Sequence, residues 1–359
     1  MTASSSTKPR PVEEAPSEPR LRFRTYLGKV GSGEHTSSGL TREEAADAME
    51  LMLDGAATEA QMGAFLIAHR IRRPEPQELT GMLDVYNSRG PVLTSRTPAL
   101  CFGMPFDGRS RTAPIYPLTA LVLATAGVPV VLQGGNPMPV KYGVTAAALF
   151  ESLGLPLTGK SLSWVQASLD RWKLALIHQP DHFQEAESLI PIRDDIGKRP
   201  PLASLELIWT AHQGDHLLVS GFVHPPTEAR AWEALRLAGE TNVFTVKGLE
   251  GSTDLPTSRA CVTARIQGQT NERLILHPRD HGCYGDNPAW QSLESWSAQA
   301  LAALGGQGDL VNPLRWNAGT YLWQAGHCPD QAEGIRQAET LLNSGAVLQQ
   351  LHKMRQALP

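Results

Sequence analysis

A chain of 359 residues with 41% hydrophobic content exceeds the usual size of a single core, so two lobes are expected. Its formal net charge of −4 provides no global attraction for nucleic acid or an anionic membrane surface, and no apolar run approaches the length of a membrane span. The four cysteines (Cys101, Cys261, Cys283, Cys328) lie far apart with no C-x-x-C pair, which disfavours a disulfide framework and a thiolate zinc site and reads as reduced thiols in a cytoplasmic protein.

Residues 1–20 are rich in Ser, Pro and Glu, carry no apolar signal core, and are expected to form a disordered leader. A helical N-terminal domain is expected over residues 21–95. Thr41-x-x-Glu44 is a capping box ahead of Ala45, Met49, Met52 and Leu53, and Asp54-Gly55 ends that helix. Thr58-x-x-Gln61 opens the next helix, which carries Met62, Phe65, Leu66 and Ile67 and stops before Pro74. A third runs from Gln77 to Asn87. Three short amphipathic helices joined by tight turns make a small lobe with one buried face. The basic run His69-Arg70-Ile71-Arg72-Arg73 sits at a helix end, where the dipole favours cations; a nucleic-acid contact is the competing reading.

Residues 96–359 read as an α/β domain. Its most informative stretch is Cys101 to Gly143. A glycine-containing turn, Gly103 to Gly108, leads through Pro114 and Pro117 into the apolar run Leu118 to Ala126. The β-branched segment Val128 to Val131 then enters a second glycine turn at Gly134-Gly135-Asn136. Two such loops on one edge of a parallel sheet are the layout of a phosphate site, because small residues let successive N–H groups converge on an anion. Pro105, which has no N–H, and the bulky Phe106 argue against a standard one.

Further candidate strands are Val128 to Leu132, Leu174 to Ile177, Leu217 to Phe222, Asn242 to Val246 and Glu272 to Leu276. Helices are expected near Ala146 to Leu153, Thr227 to Leu237 and Ala298 to Leu304. That alternation implies a mostly parallel sheet covered by helices on both faces. The tail from Pro313 to Leu358 reads as helical with a break at Gly326 to Pro329. His277, His281, Cys283 and Asp286 are close in sequence but fit no standard metal spacing, and His212 and His216 flank a turn.

Taken together these segments resemble the anthranilate phosphoribosyltransferase family, more specifically its divergent paralogues, from about Tyr26 to about Met354. The stretch LTREEAADAMELMLDGAATEAQMGAFLIAHRIRRPEPQEL is similar to the family's N-terminal lobe. AGVPVVLQGG, IPIRDDIGKRP, LLVSGFVHPP, VFTVKGLEGSTDL, LHPRDHG and WNAGTYLW follow in the family's order. The resemblance implies a small helical lobe plus a large, nucleoside phosphorylase-like α/β lobe, a ligand cleft between them, and a homodimer formed through the small lobe. It also implies a glycosyl (pentosyl) transferase in tryptophan biosynthesis. Such enzymes bind phosphoribosyl pyrophosphate with magnesium and move the ribosyl group to an aromatic amine through an oxocarbenium-like transition state.

By that resemblance Gly103, Asp107, Gly108, Gly134 and Lys141 line the donor site, Arg193 meets the acceptor's carboxylate, and the acidic pair that holds Mg2+ matches Glu250 and Gly251, one carboxylate instead of two, with Asp254 close enough in sequence to substitute. Local alternatives stand beside these roles: Asp107 accepting from its own turn, Lys141 solvated, and Arg193 paired with Asp194 or Asp195. The chain also departs from the pattern. Met104, Pro105 and Phe106 replace small loop residues; Pro114, Tyr116 and Pro117 stand where polar groups hold the phosphates; Leu132 and Gln133 replace a lysine and a histidine. A glycine-proline-rich turn is replaced around Glu206 to Ala211.

Hydrogen bonds to charged groups contribute roughly 1.5–3 kcal/mol each, so four lost phosphate ligands remove on the order of 6–12 kcal/mol. A micromolar ligand has only about 8 kcal/mol in total. The alternative function is therefore a paralogue that has lost catalysis and binds nucleic acid or a regulatory ligand.

Overall fold

The computed structural model describes residues 17–33 and 35–357. Residues 1–16 of the expected leader lie outside the described residues, but Pro19 and Arg20 already belong to a helix, α1 (Pro19–Gly31). That helix was not anticipated, although its signals are local. The Glu18 side chain caps it by accepting from the Leu21 amide at 2.8 Å, proline occupies its first turn, and Phe23, Tyr26 and Val30 recur at helical spacing on the buried face.

Helices α2 (Arg42–Leu53), α3 (Glu59–Arg72) and α4 (Pro76–Arg89) complete the lobe, and the Thr41 and Thr58 capping boxes both form. Helices α2 and α4 meet at Gly81, where a Cβ would lie 2.1 Å from the Arg42 carbonyl oxygen; only glycine allows this approach. The basic run at the end of α3 is divided. His69 and Arg72 turn inward to the buried Glu78, which also accepts from the Leu40 amide at 2.7 Å. Burial would raise the Glu78 carboxyl, but donation from His69 and Arg72 outweighs it and holds the group at about 2. Arg70 and Arg73 stay exposed.

The large lobe is built on a seven-stranded sheet of order β3-β2-β1-β4-β5-β6-β7. Its strands are β1 (Ala99–Gly103), β2 (Val130–Gly134), β3 (Leu174–His178), β4 (His216–Gly221), β5 (Asn242–Val246), β6 (Cys261–Gln267) and β7 (Thr270–Leu276). The first five are parallel, whereas β6 and β7 form an antiparallel hairpin on the edge. The expected strand near Glu272 to Leu276 thus exists; it pairs antiparallel with β6, the one reversed strand, and so runs in the direction of the first five. A hairpin needs only the two-residue turn Gly268-Gln269, with Gly268 at φ +56°, where a parallel return would need a crossover.

Side chains alternate across the strands. Leu100, Phe102, Val130, Leu132, Val219 and Phe244 face a core shared with the helices Tyr116–Thr125 and Val311–Gln324. Cys101, Val131, Ala175, Leu218 and Val243 face a second core continuous with Phe65, Met82 and Leu83 of the helical lobe. The lobes are also pinned by the helix Pro225–Leu237, whose Ala234 carbonyl accepts from Thr80 at 3.1 Å and whose Leu237 carbonyl accepts from Arg42 at 2.9 Å. The parallel strands end together at Gly103, Gly134, His178, Gly221 and Val246. Open sheets of this kind bind ligands at that edge.

Candidate functional site

The two glycine loops at the sheet edge come together, but on each other. The Gly143 amide donates to the Asp107 carbonyl at 2.9 Å, and Arg109 and Val144 exchange backbone hydrogen bonds at 3.2 and 2.8 Å. The Met104 amide donates to the Glu206 carbonyl at 3.1 Å, the Phe106 amide to the Glu206 side chain at 3.1 Å, and the Gly108 amide to Pro105 at 3.0 Å. The amides of Met104, Phe106 and Gly108 in the first loop are thus already committed.

The glycines serve the same closure. A Cβ on Gly103 would lie 2.1 Å from the Leu207 carbonyl oxygen, and Gly108, at φ +77°, abuts the backbone of Gly143. Between the loops, among Met104, Phe106, Tyr116, Gln133, Gly134 and Thr145, the remaining cavity is about 10 Å³. That is room for about one water and no phosphate group.

At the centre of the site is Arg109, which the sequence reading did not single out. It is buried at 1% exposure. Its Nε lies 3.1 Å from Glu250 Oε1, and its Nη1 lies 2.7 Å from Asp254 Oδ2 and 2.6 Å from Ser252 Oγ; Nη2 donates to the Thr112 hydroxyl. Glu250, itself strained at φ +55°, takes further donors from the amides of Ser110, Arg111 and Thr112 at 3.3, 3.1 and 3.0 Å. Lys141 Nζ stands 3.4 Å from Glu250 Oε2 and 3.2 Å from the Gly108 carbonyl. Arg111, exposed at the rim, adds its Nε at 3.7 Å from Glu250 Oε2, so three cations face two carboxylates.

The electrostatics follow from that packing. Burial alone would raise the Glu250 carboxyl, but Arg109 and the loop amides hold it far below the ordinary carboxylate range. Burial pushes Asp254 up against the pull of Arg109, and it pushes the Lys141 ammonium down. Magnesium requires open, convergent oxygens in octahedral array and keeps several waters. Glu250 and Asp254 do converge as expected, but their oxygens accept from a guanidinium and from amides. Among the described residues no group of three or more His, Cys, Asp or Glu is placed to hold a metal ion, and that includes the segment from His277 to Asp286. The residues present do not fit magnesium.

The other sites inferred from the sequence are also internally paired. Asp107, 1% exposed, accepts from Arg199 Nε at 2.6 Å rather than from its own turn. Arg193 pairs with neither Asp194 nor Asp195. It meets the buried Glu206, which stands in the segment replacing the glycine-proline-rich turn, while Arg193 Nε and Nη2 are left without a partner. Burial pushes the Glu206 carboxyl up, and Arg193 pulls it back. A signal for Arg109 was available in the string DGRSR: an arginine entering an apolar loop must find a carboxylate.

His212 and His216 form an edge-on pair with ring centroids 5.5 Å apart. The Ser95 hydroxyl donates to the Thr97 carbonyl at 2.7 Å, so it accepts from His212 Nε2 at 2.8 Å and leaves Nδ1 bare and buried. Burial first and His216 second push His212 down to about 4. The unfolded chain then takes up this proton first, near the ordinary value of about 6.5, so stability should fall as pH drops from there towards 4, by at most about 1.4 kcal/mol per unit. His216, lifted by Glu240 against its own burial, stabilises on the acid side and offsets part of this loss. Urea midpoints between pH 7 and 4 should show the decline, and His212→Gln should flatten it; an unchanged slope would contradict the assignment.

One open space of about 800 Å³ adjoins these pairs, in the cleft between the lobes. Asp107, Glu206 and Glu250 line it from the large lobe, and Arg70 and Arg73 from α3. Gly103, Gly134, Lys141 and Arg193 are not part of its lining.

Comparison with known proteins accords with this architecture. The helical bundle domain described for a glycosyl transferase family matches residues 24–90, and that family's a/b domain matches residues 109–348. An anthranilate phosphoribosyltransferase from Methylocella silvestris is 27% identical over 347 residues, covering 93% of this chain and 95% of the relative. An uncharacterized protein of Aquifex aeolicus is 27% identical over 305 residues, 84% of this chain and 92% of the relative. Among solved structures, anthranilate phosphoribosyltransferase from Thermus thermophilus superposes with a TM-score of 0.77 at 23% identity, covering 92% of this chain and 98% of that one. The Saccharomyces cerevisiae enzyme in complex with PRPP and Mg gives 0.77 at 15% identity, covering 94% and 98%. These likenesses establish the fold.

Proposed function

Because the chain belongs to the glycosyl transferase family that joins a helical bundle domain to an α/β domain, we propose that it keeps the interlobe cleft as a binding site for an anionic small molecule and has given up magnesium-dependent phosphoribosyl transfer. The observation that carries this reading is Arg109. One guanidinium, with Lys141 beside it, occupies both Glu250, which the resemblance assigns to magnesium, and Asp254, the candidate substitute for the second carboxylate.

The remaining geometry agrees. A pyrophosphate group has no volume between the glycine loops, where the amides of Met104, Phe106 and Gly108 are already bonded within the chain. Asp107 is held by Arg199, and the arginine assigned to an acceptor's carboxylate is held by the chain's own Glu206. Transfer through a separating ribosyl cation depends on groups that stabilise the departing pyrophosphate, and here those groups are turned on each other. The cleft stays open, and its volume of about 800 Å³ lies within the range of small-molecule sites.

The test is a turnover assay with phosphoribosyl pyrophosphate, magnesium and a panel of aromatic amines including anthranilate. We expect no pyrophosphate release above the uncatalysed rate. Donor- and amine-dependent release that disappears in Glu250→Gln would contradict the proposal.

A further inference from the structure

We propose that Arg70 and Arg73 at the end of α3, with Arg230 of the helix Pro225–Leu237, form an anion subsite in the interlobe cleft that takes the phosphate end of a phosphorylated small molecule. The subsite rests on the reading of the cleft given above and supplies its chemistry.

The first argument is charge. Four acidic residues line the cleft, and each already has an arginine: Asp107 has Arg199, Glu206 has Arg193, Glu228 has Arg273 and Glu250 has Arg109. Arg70, Arg73 and Arg230 line the same cleft, and among the described residues none of the three has a carboxylate within 4.0 Å. The cleft therefore carries an uncompensated positive end. Glu75, the nearest acid, shares a side cavity with Arg73 and Arg230 but pairs with neither.

The second argument is placement. Arg73 and Arg230 come from different lobes and line the same two cavities. Arg73 leaves α3 at φ +68°, a conformation that costs a non-glycine residue free energy and is retained just before Pro74. Burial and then the nearby Arg73 weaken the hold of Arg230 on its proton, and Glu75 offsets only part of this. The helix Pro225–Leu237 also opens on the cleft, but Pro225 and Pro226 have no N–H and the amides of Thr227 and Glu228 bond the His224 carbonyl at 2.9 and 3.3 Å. The guanidinium groups, rather than helix amides, must hold the anion.

The third argument is shape. Beyond the arginines the wall mixes apolar Leu207, Phe222, Val223 and Ala231 with polar Ser204, Ser220, Thr227 and Thr245, so the body of the ligand carries both apolar surface and hydrogen-bonding groups. An arginine fork suits a phosphate's oxygens.

The experiment is calorimetric titration of the full chain with inorganic pyrophosphate at about 0.15 M salt, where long-range attraction is screened, first without magnesium. We expect sub-millimolar binding that falls by about tenfold or more in Arg73→Ala and again in Arg230→Ala. Neither guanidinium makes a hydrogen bond or ion pair with another described residue, and the Arg73 amide that donates to the His69 carbonyl at 2.9 Å is kept in the alanine variant, so thermal midpoints should be unchanged. Arg336→Ala, on the helix Gln331–Asn343, should bind as the parent does.

No binding at millimolar pyrophosphate, or binding indifferent to both arginines, would overturn the subsite. So would binding of single-stranded oligonucleotides with no response to pyrophosphate. Binding that needs magnesium and vanishes in Glu250→Gln would overturn both the subsite and the reading beneath it. Absence of pyrophosphate binding together with absence of magnesium-dependent donor binding would sink the subsite and leave that reading intact.

Discussion

Replacing Arg109 with alanine should destabilise the protein by about 3–5 kcal/mol, the typical cost of removing one member of a buried ion pair. The size of the effect comes from what remains. Glu250 and Asp254, 3% and 1% exposed at their side chains, would be left, among the described residues, with Lys141 and the exposed Arg111 beside Glu250 and no cation paired with Asp254. The loss should show as a shift in the urea midpoint at unchanged slope. Adding Glu250→Gln and Asp254→Asn to Arg109→Ala should recover a large part of it, because uncharged groups tolerate burial better than unpaired charges. A loss below about 1 kcal/mol would place the carboxylates in contact with water and contradict the sealed geometry.

The second large effect is expected from Glu206→Ala, again about 3–5 kcal/mol. Arg193 has two guanidinium nitrogens without partners already, and Glu206 is its one carboxylate. The Phe106 amide, which donates to Glu206 at 3.1 Å, would lose its acceptor as well. Arg193→Met combined with Glu206→Met should cost much less than either single change, since well-packed apolar residues often replace a buried pair at little cost. A double-mutant cycle with purely additive losses would show that the pair is not coupled.

These two pairs also mark how far the sequence could be read. The capping boxes at Thr41 and Thr58 were legible because donor and acceptor lie three residues apart, and both form. Strands β2 to β5 were legible as apolar runs because a parallel sheet buried on both faces leaves few polar positions. Strand β1 was not: its five residues, ALCFG, run directly into the glycine turn and read as the beginning of that turn. Strand β6 was missed because CVTARIQ, although paired on both sides, is only partly buried, and its Thr, Arg and Gln mask the apolar residues between them. Helix α1 was absorbed into a polar leader even though Phe23, Tyr26 and Val30 carry its stripe.

The site divides in the same way. That Glu250 and Asp254 belong together was legible from four-residue spacing and the family resemblance. That Arg109 reaches them across 141 and 145 residues was not, because no local pattern encodes a contact made by chain topology. Asp107 with Arg199, 92 residues apart, shows the same limit. The substitutions Met104, Pro105 and Phe106 did announce the outcome. Bulk placed where an anion must approach predicts a loop that no longer receives one, and the loops close on about 10 Å³.

The central claim is that the chain's own cations fill the place of the metal and close the donor site. Calorimetry with phosphoribosyl pyrophosphate and magnesium, on the parent protein and on Glu250→Gln, tests it most directly. The account expects no magnesium-dependent heat from either protein. Micromolar, magnesium-dependent binding to the parent that is lost in Glu250→Gln would mean that Glu250 holds the metal after all, and would contradict it.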